Sequence, residues 1–277
     1  MKRLALGLAT ASLLLVSAPT ATAHHEVSGT RAKQFVRTIA AFGARPASSR
    51  NERRVGRLVG EQLGSFGYTV EVQTFRLPNG RYSRNVVGRT PGPVRIVIVA
   101  HMDGVHGTVA ANDNGSGVAT MLEIARSLHA EPGVLVAALG AEERMVTGSP
   151  YHLGSLRLTR SIPRAARDDV LLALSVDMVG VGRTFHVRGL EASPNRSARK
   201  LLRASRALGI PVTYLRDTGQ SDHDDLTRGG VPAAWVEWRW DVCWHRPCDR
   251  PDRLDRTKLR KAGDVVVRAA RTVLATL

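Results

Sequence analysis

Three continuous apolar runs, at residues 94–103, 133–143 and 169–180, constrain the fold of this chain more than any other feature. In "VRIVIVAHMD", "GVLVAALGAEE" and "DVLLALSVDMVG", apolar residues follow one another with little polar alternation. Runs of this kind are typical of strands that are buried on both faces in the centre of a parallel sheet. They predict an α/β protein whose sheet is covered on both sides.

The segments around these runs complete that prediction. Shorter apolar stretches predict additional strands at 68–75, 82–90, 184–190, 212–217 and 232–240. Apolar residues at helical spacing predict helices at 30–43, 50–66, 117–130, 194–208 and 256–276. Strands that alternate with helices indicate a three-layer α/β/α sandwich with a central, mostly parallel mixed β-sheet.

The N-terminus has the composition of a secretory signal peptide. Met1-Lys2-Arg3 precedes an apolar run at 4–16, and Ala21-Thr22-Ala23 ends the segment. The apolar run is short for a membrane anchor, which needs about 20 residues. We therefore expect export with cleavage after Ala23, which leaves residues 24–277 as a single domain.

The formal net charge of +16 raises the question of nucleic-acid binding. The arginines are spread over the chain from Arg31 to Arg271, and the one cluster, at 45–57, has no interleaved aromatic residues. This distribution favours a generally basic surface over a nucleic-acid interface.

Ionisable residues stand at the end of each long apolar run. His101 and Asp103 end the first, Glu142 and Glu143 end the second, and Asp177 comes near the end of the third. The carboxyl ends of strands in open α/β sheets form the edge at which ligands bind. Buried charges at this edge would be costly without a partner, and a divalent metal would neutralise them.

Two more candidate ligands lie outside the three runs. Asp113 stands in the turn sequence "ANDNGSG", just before a predicted helix, and His245 follows the last predicted strand. Each residue has an ordinary structural explanation on its own, but together with His101, Glu143 and Asp177 they give five nitrogen and oxygen donors. One zinc ion takes about four ligands, so the number favours two ions that share a carboxylate. Zinc suits such donors, as do manganese and cobalt.

One acid, Glu142, is left over from this set. It stands beside the candidate ligand Glu143 and is free to act as a general base.

The stretch "DVCWHRPCD" at 241–249 contains both cysteines of the chain, Cys243 and Cys248, with His245 between them. Three interpretations fit these residues alone. All three side chains bind one metal, or the cysteines form a disulfide that holds the histidine, or the cluster is only structural. Export makes a disulfide chemically possible.

The order of these sequences resembles the secreted dizinc aminopeptidases of the aminopeptidase S and aminopeptidase Y type, which are bacterial leucyl aminopeptidase-like enzymes with the zinc exopeptidase fold. The segments that carry the resemblance are "AHMD" at 100–103, "ANDNGSG" at 111–117, "AEE" at 141–143 with "GS" at 148–149, "VDMVG" at 176–180, "SDH" at 221–223 and "CWHRPCD" at 243–249.

The resemblance implies a role for each candidate residue. One zinc ion takes His101 and Asp177, the other takes Glu143 and His245, and Asp113 bridges both. A metal-bridging hydroxide attacks the peptide bond that follows the N-terminal residue.

It implies four further features. Glu142 is the general base, and Asp103 orients the His101 imidazole. The peptide bond between Asp113 and Asn114 is cis. Cys243 and Cys248 form a disulfide that stiffens the loop around His245.

The chain departs from its relatives at two positions. Trp244 stands where many relatives have a tyrosine that helps to hold the oxyanion, and Gln220 stands where some have an arginine. We expect both to lie near the substrate. His152 shows no partner pattern and is expected to be an ordinary histidine.

The tryptophans of the last predicted strand have two interpretations. Trp235, Trp238, Trp240 and Trp244 are candidates to line a pocket for an apolar N-terminal residue. Period-two spacing favours strand packing instead for Trp238, which shares a face with Ala234, Val236 and Trp240.

The function predicted from these residues is a secreted, zinc-dependent aminopeptidase that acts as a monomer on peptides with a free N-terminus. It binds neither nucleic acid nor, after signal cleavage, a membrane. Two alternatives are a glutaminyl cyclase, a single-zinc transferase on the same fold, and a non-catalytic basic binding protein.

Overall fold

Residues 27–143 and 151–277 are described by the computed structural model of the chain. The predicted signal peptide and the "GS" at 148–149 lie outside these residues. Within the described ranges, no helix combines the length and the apolar character needed to cross a bilayer.

Eight strands form one sheet in the described part of the chain. They are β1 Thr69–Arg76, β2 Tyr82–Arg89, β3 Ile96–His101, β4 Val134–Leu139, β5 Leu172–Val176, β6 Thr184–Gly189, β7 Thr213–Arg216 and β8 Ala233–Arg239. Their order across the sheet is β1-β2-β4-β3-β5-β8-β6-β7. The central strands β4, β3, β5 and β8 run parallel to one another, and β6 runs parallel to β7. The pairs β1–β2, β2–β4 and β6–β8 are antiparallel.

The long apolar runs become the centre of this sheet, as predicted. Every residue of β3, β4 and β5 is buried. Ile96 pairs with Val134 on one side and with Leu172 on the other. Because these strands are parallel and in register, their carboxyl ends meet at one edge.

Seven α-helices cover the sheet within the described ranges. They are α1 Gly29–Ala40, α2 Arg50–Ser65, α3 Gly117–Ser127, α4 Leu153–Ser161, α5 Arg196–Ala207, α6 His223–Arg228 and α7 Arg256–Leu274. Ile96 and Ile98 pack in the larger core with α1, α2, α3, α5 and α7. Val97 and Val99 pack in the smaller core with α4 and α6. The result is the predicted sandwich of three layers.

Two helices were not predicted from the sequence. The helix α4 is nine residues long, with no acidic residue in its first turn and no side chain that caps its N-terminus. The helix α6 has only six residues. Both lack the length over which helical periodicity becomes recognisable. Their burial against the sheet, as at Leu158 and Leu226, stabilises them instead.

The packing of β8 differs from the prediction at one residue. Val236 and Trp238 lie in the larger core, where the Trp238 ring contacts Phe185 at 5.1 Å between centroids. Trp240 does not share that packing, because the strand ends at Arg239 and its side chain is 69% exposed.

Candidate active site

The carboxyl edge of the sheet gathers the predicted ionisable side chains. β3 ends at His101, the chain after β4 carries Glu142 and Glu143, and the chain after β5 carries Asp177. All four side chains line one pocket, together with Asp113 and His245.

Asp113 lies between two groups of donors. Its Oδ1 is 3.2 Å from His101 Nε2, which is also 3.6 Å from Asp177 Oδ1. Its Oδ2 is 3.1 Å from His245 Nε2, which lies 3.0 Å from Glu143 Oε1. The two carboxylate oxygens of Asp113 therefore face different imidazoles.

The backbone around Asp113 forms a short helical turn, Ala111–Ser116, which is interrupted by extended torsion angles at Asp113 (φ −108°, ψ 92°). The peptide bond between Asp113 and Asn114 is cis, as the resemblance implied.

The electrostatics of this cluster favour positive charge. Burial alone would lower the pKa of His101, but Glu142 and Asp177 outweigh it and hold the pKa well above its ordinary value. Burial opposes the same change at His245, where Asp113 and Glu143 raise the pKa to about 10. Both imidazoles thus lie where carboxylates attract a cation.

The donor set fits divalent metal ions. Ligand atoms of His101, Asp113 and Glu143 lie within 4.8 Å of one another, as do those of His101, Glu142 and Asp177. Asp177 Oδ1 is buried and has no hydrogen-bond partner among the described residues. An ion would satisfy this oxygen, and imidazole nitrogens with carboxylate oxygens are donors that zinc accepts.

Glu142 has a partner that sequence reasoning missed. His152 Nε2 lies 3.2 Å from Glu142 Oε1, and the His152 backbone N–H donates to the Glu142 carbonyl at 2.9 Å. The expectation that His152 is an ordinary histidine was therefore wrong. No local pattern could have indicated it, because the contact depends on how the chain returns after residue 150.

Asp103 holds the backbone of the segment that carries Glu142 and Glu143. Its two carboxylate oxygens accept the backbone N–H groups of Glu142 and Glu143 at 3.1 and 3.2 Å. Its contact with His101 Nδ1 is 3.6 Å, which is too long for a hydrogen bond and leaves an electrostatic attraction.

Another buried acid, Glu52, lies close enough to Asp103 to be affected by its charge. Burial and the nearby Asp103 charge raise the pKa of Glu52 to about 8. Its side chain contacts the Ser83 hydroxyl and accepts the Ser48 backbone N–H at 2.7 Å. Glu52 is thus a buried carboxyl group for which the protonated form is favoured.

Arg45 holds the loop between His101 and Asp113. Its guanidinium is fully buried and donates to the backbone carbonyls of Met102, Val109 and Ala110 at 2.7, 2.5 and 2.7 Å. Three carbonyl groups of one loop are therefore satisfied by a single side chain.

The stretch 241–249 forms a loop closed by a Cys243–Cys248 disulfide. The thiolate-ligand interpretation is thereby excluded, and His245 is the residue of this loop that reaches the cluster. The Trp244 ring stacks on His245 with centroids 4.3 Å apart. The pairing that the resemblance implied is confirmed.

The same loop also holds the segment that carries Asp113. Asp249 accepts the backbone N–H groups of Asn112 and Asp113 at 2.7 and 3.0 Å. Asp241 accepts the Asn112 side-chain N–H at 2.9 Å. Sequence reasoning did not single out Asp249, although it is the last residue of "DVCWHRPCD".

The pocket that contains these residues has a volume of about 470 Å³. Trp235 and Gln220 line it, as do Trp240 and Trp244, whose side chains are more than half exposed. Trp244 and Gln220 therefore both line the pocket, and their contact with substrate stays a prediction.

Comparisons with known proteins agree with this geometry. The model of peptidase family M28 matches residues 85–270. Aminopeptidase YwaD of Bacillus subtilis is 29% identical over 205 residues, which cover 68% of this chain and 44% of that protein. The chain spans about half the length of the curated relatives it matches first.

Two solved structures extend the comparison. BSAP, a zinc aminopeptidase from Bacillus subtilis, superposes with a TM-score of 0.82 at 18% identity, covering 89% of this chain and 95% of that one. The glutaminyl cyclase of Porphyromonas gingivalis superposes with a TM-score of 0.78 at 25% identity, covering 89% and 99%.

Proposed function

Because the family model matches residues 85–270, the chain belongs to peptidase family M28, and we propose that it is a metal-dependent aminopeptidase. The observation that carries this proposal is the pair of donor groups on either side of the Asp113 carboxylate, with Glu142 beside them. Its substrates would be peptides with a free N-terminus.

His101 and Asp177 would hold one ion, Glu143 and His245 the other, and Asp113 both. The distances support this division, since Asp113 Oδ1 lies near His101 and Oδ2 lies near His245. When bound, two zinc ions would polarise the scissile carbonyl and lower the pKa of the attacking water.

Glu142 is the residue that would move the proton. Its side chain is buried at the pocket wall, and burial, reinforced by the neighbouring Glu143 charge, raises the pKa of Glu142 well above its ordinary value. A raised pKa suits a carboxylate that takes a proton from water and later returns it to the leaving amine. Because His152 contacts Oε1, Oε2 is the oxygen that would take the proton.

The shape of the pocket supports cleavage at the terminus of a chain. Its inner wall is closed by Arg188, Trp235 and Glu237, which are all buried, and its mouth is bordered by exposed Trp240 and Trp244. A pocket of this form would suit entry of a peptide by its end. The carboxylates around Asp113 and Glu142 would attract the α-ammonium group.

The roles of Trp244 and Gln220 toward the substrate stay predictions. Trp244 packs on His245 and would keep that imidazole in place, while its indole N–H is the candidate replacement for the tyrosine hydroxyl of relatives. Gln220 accepts from Arg188 Nη2 at 2.7 Å and would contribute to the substrate wall.

We also propose that the enzyme is exported and acts as a monomer outside the cell. The basis is the signal-peptide composition of residues 1–23 together with the disulfide at Cys243–Cys248, since disulfides persist in oxidising compartments.

The decisive experiment compares wild type with Glu142→Gln. Purified protein is incubated with a panel of aminoacyl-p-nitroanilides, with zinc and with a chelator, and bound zinc is measured. We expect chelator-sensitive release by wild type, and loss of release with zinc content retained in the variant. Activity in the variant would remove Glu142 from its role.

The second candidate is a glutaminyl cyclase, favoured by the superposition with the Porphyromonas gingivalis enzyme. The same protein is therefore incubated with a peptide that begins with glutamine. Formation of pyroglutamate with one zinc per chain would support the cyclase, and two zinc ions with hydrolysis of anilides would support the aminopeptidase.

A further inference from the structure

We propose that the pocket contains a carboxylate-binding subsite in which Arg239 receives the acidic side chain of an N-terminal glutamate or aspartate. This inference rests on the proposed aminopeptidase function and names its substrate class. It concerns the charged wall of the pocket, formed by Arg188, Glu237 and Arg239.

Strand alternation builds the charged wall. In β8, Val236 and most of Trp238 pack in the larger core, while the alternate residues Trp235, Glu237 and Arg239 line the pocket, which Trp238 also borders. On the neighbouring strand β6, Arg188 pairs with Trp235. A wall meant for a leucine side chain would be apolar, whereas this one carries three ionisable groups.

The Arg188 guanidinium is held in place by contacts within the protein. It lies over the Trp235 ring at 4.1 Å, and Nη1 is 3.2 Å from Glu237 Oε1. Nη2 donates to Gln220 Oε1 at 2.7 Å, whereas Nε makes no hydrogen bond and only pairs electrostatically with Asp217 Oδ2 at 3.4 Å. Arg188 therefore acts as a structural support for the wall.

Arg239 differs from Arg188 because its two terminal nitrogens make no hydrogen bond within the described residues. Nε is 3.4 Å from Glu237 Oε1 and the guanidinium lies 4.4 Å from the Trp240 ring centroid. Among the described residues, neither Nη1 nor Nη2 makes a hydrogen bond, and the side chain is 28% exposed. Glu237 and Trp240 thus hold the guanidinium while its two terminal nitrogens face a ligand.

The chemistry of this arrangement selects a carboxylate. A guanidinium binds a carboxylate through two parallel N–H bonds, with both geometry and charge matched. Glu237 is the single acid of the wall, and its burial raises its pKa to about 7, which weakens its negative charge near neutral pH. A lysine side chain would meet two guanidinium groups, and a leucine side chain would desolvate Arg239 without offering it a partner.

The position of the wall assigns the carboxylate to the N-terminal residue. The charged wall and the metal-binding cluster line the same pocket, which is closed behind Trp235 and Glu237. A substrate whose scissile carbonyl lies at the cluster therefore places its first side chain inside, while the rest of the peptide leaves through the mouth.

The test measures kcat/KM for the p-nitroanilides of glutamate, glutamine, leucine and lysine with zinc-loaded protein. These substrates carry no carboxylate in the leaving group, so any acidic preference refers to the side chain. Wild type is expected to favour the glutamate anilide over the leucine anilide by about tenfold or more.

Two substitutions and one control sharpen the test. Arg239→Met should lower the glutamate-to-leucine ratio of kcat/KM about 10- to 100-fold, the usual worth of a hydrogen-bonded charge pair. Arg239→Glu should invert the preference between glutamate and lysine. Arg203→Met, on the exposed side of α5, is the matched control and should leave every ratio unchanged. Zinc content and melting temperature verify that each variant is folded.

Failure of the subsite and failure of the proposed aminopeptidase function give different results. Absence of release from all anilides by wild type would overturn the aminopeptidase and the subsite together. Release with leucine preferred, or with a glutamate-to-leucine ratio that Arg239→Met does not change, would overturn the subsite alone. A preference for dipeptides over their C-terminal amides, with no side-chain preference, would reassign Arg239 to the substrate's C-terminus and likewise overturn the proposal.

Discussion

Replacing Glu52 by glutamine is expected to make the free energy of unfolding less dependent on pH. Glu52 is fully buried on α2, and its pKa rises from the ordinary 4.5 to about 8 because of burial and the Asp103 charge. Below about pH 4.5 the carboxyl is protonated in both folded and unfolded chains, so it contributes no pH dependence there.

The sign and size of the pH dependence follow from the number of protons bound by the folded and unfolded chains. Between pH 4.5 and 8 the unfolded chain has lost this proton while the folded chain keeps it, so rising pH favours unfolding. Each pH unit costs about 1.4 kcal/mol, which gives at most about 4 kcal/mol between pH 5 and pH 8. Stability is thus greatest at the acidic end of this window and falls as pH rises.

Glutamine should fit because it resembles the protonated acid. Its amide oxygen can accept the Ser48 N–H, and its amide nitrogen can donate to the Ser83 hydroxyl that Glu52 now contacts. The variant should therefore fold, and it should gain stability over wild type as pH increases.

The assay is urea denaturation of both proteins at several pH values from 5 to 8, in chelator so that metal binding does not contribute. Glu61→Gln is the matched control, because Glu61 lies on the exposed side of the same helix. A constant difference between Glu52→Gln and wild type over this range would refute the reasoning.

Four further outcomes are expected. His152→Leu should lower kcat about tenfold without changing KM or zinc content, and His152→Gln should restore part of the loss, since its amide keeps a donor to Glu142; equal kcat in wild type and the leucine variant would contradict this. Removing the disulfide by changing Cys243 and Cys248 to serine should cost about 2 kcal/mol in urea denaturation and weaken zinc affinity in a chelator competition. Arg45→Met should lower the free energy of unfolding by about 3 kcal/mol, because two buried carbonyl groups and one partly buried carbonyl group lose their donor. Zinc removal should lower the melting temperature, since a metal at a thousandfold excess over its Kd stabilises by about 4 kcal/mol; an unchanged temperature would argue against a metal bound by the folded chain.

Much of the fold could be predicted because its signals are local. A buried strand such as Ile96–His101 has no polar residue before its end, and a helix such as α2 repeats apolar residues at Val55, Val59 and Leu63. Parallel pairing then brings the strand ends together without further information. For the same reason, His101, Glu143 and Asp177 could be expected at one edge.

The contacts that surround the candidate site could not be predicted in this way. The link between Asp249 and the backbone of Asp113 joins positions 136 residues apart. The approach of His152 to Glu142 and the open nitrogens of Arg239 depend on tertiary packing. A single sequence contains no periodic signal for contacts of this kind, so the charged wall is visible only once the sheet is assembled.

The hydrogen bonds of Asp249 and Asp241 to Asn112 and Asp113 have a consequence for engineering. They make the loop 241–249 and the turn 111–116 one exchangeable unit, although the two segments are distant in the chain. A chimera that imports only one of them from another member of the family would combine a foreign ligand loop with an unmatched partner. Recombination of this chain should therefore transplant both segments together and place its crossover points outside them.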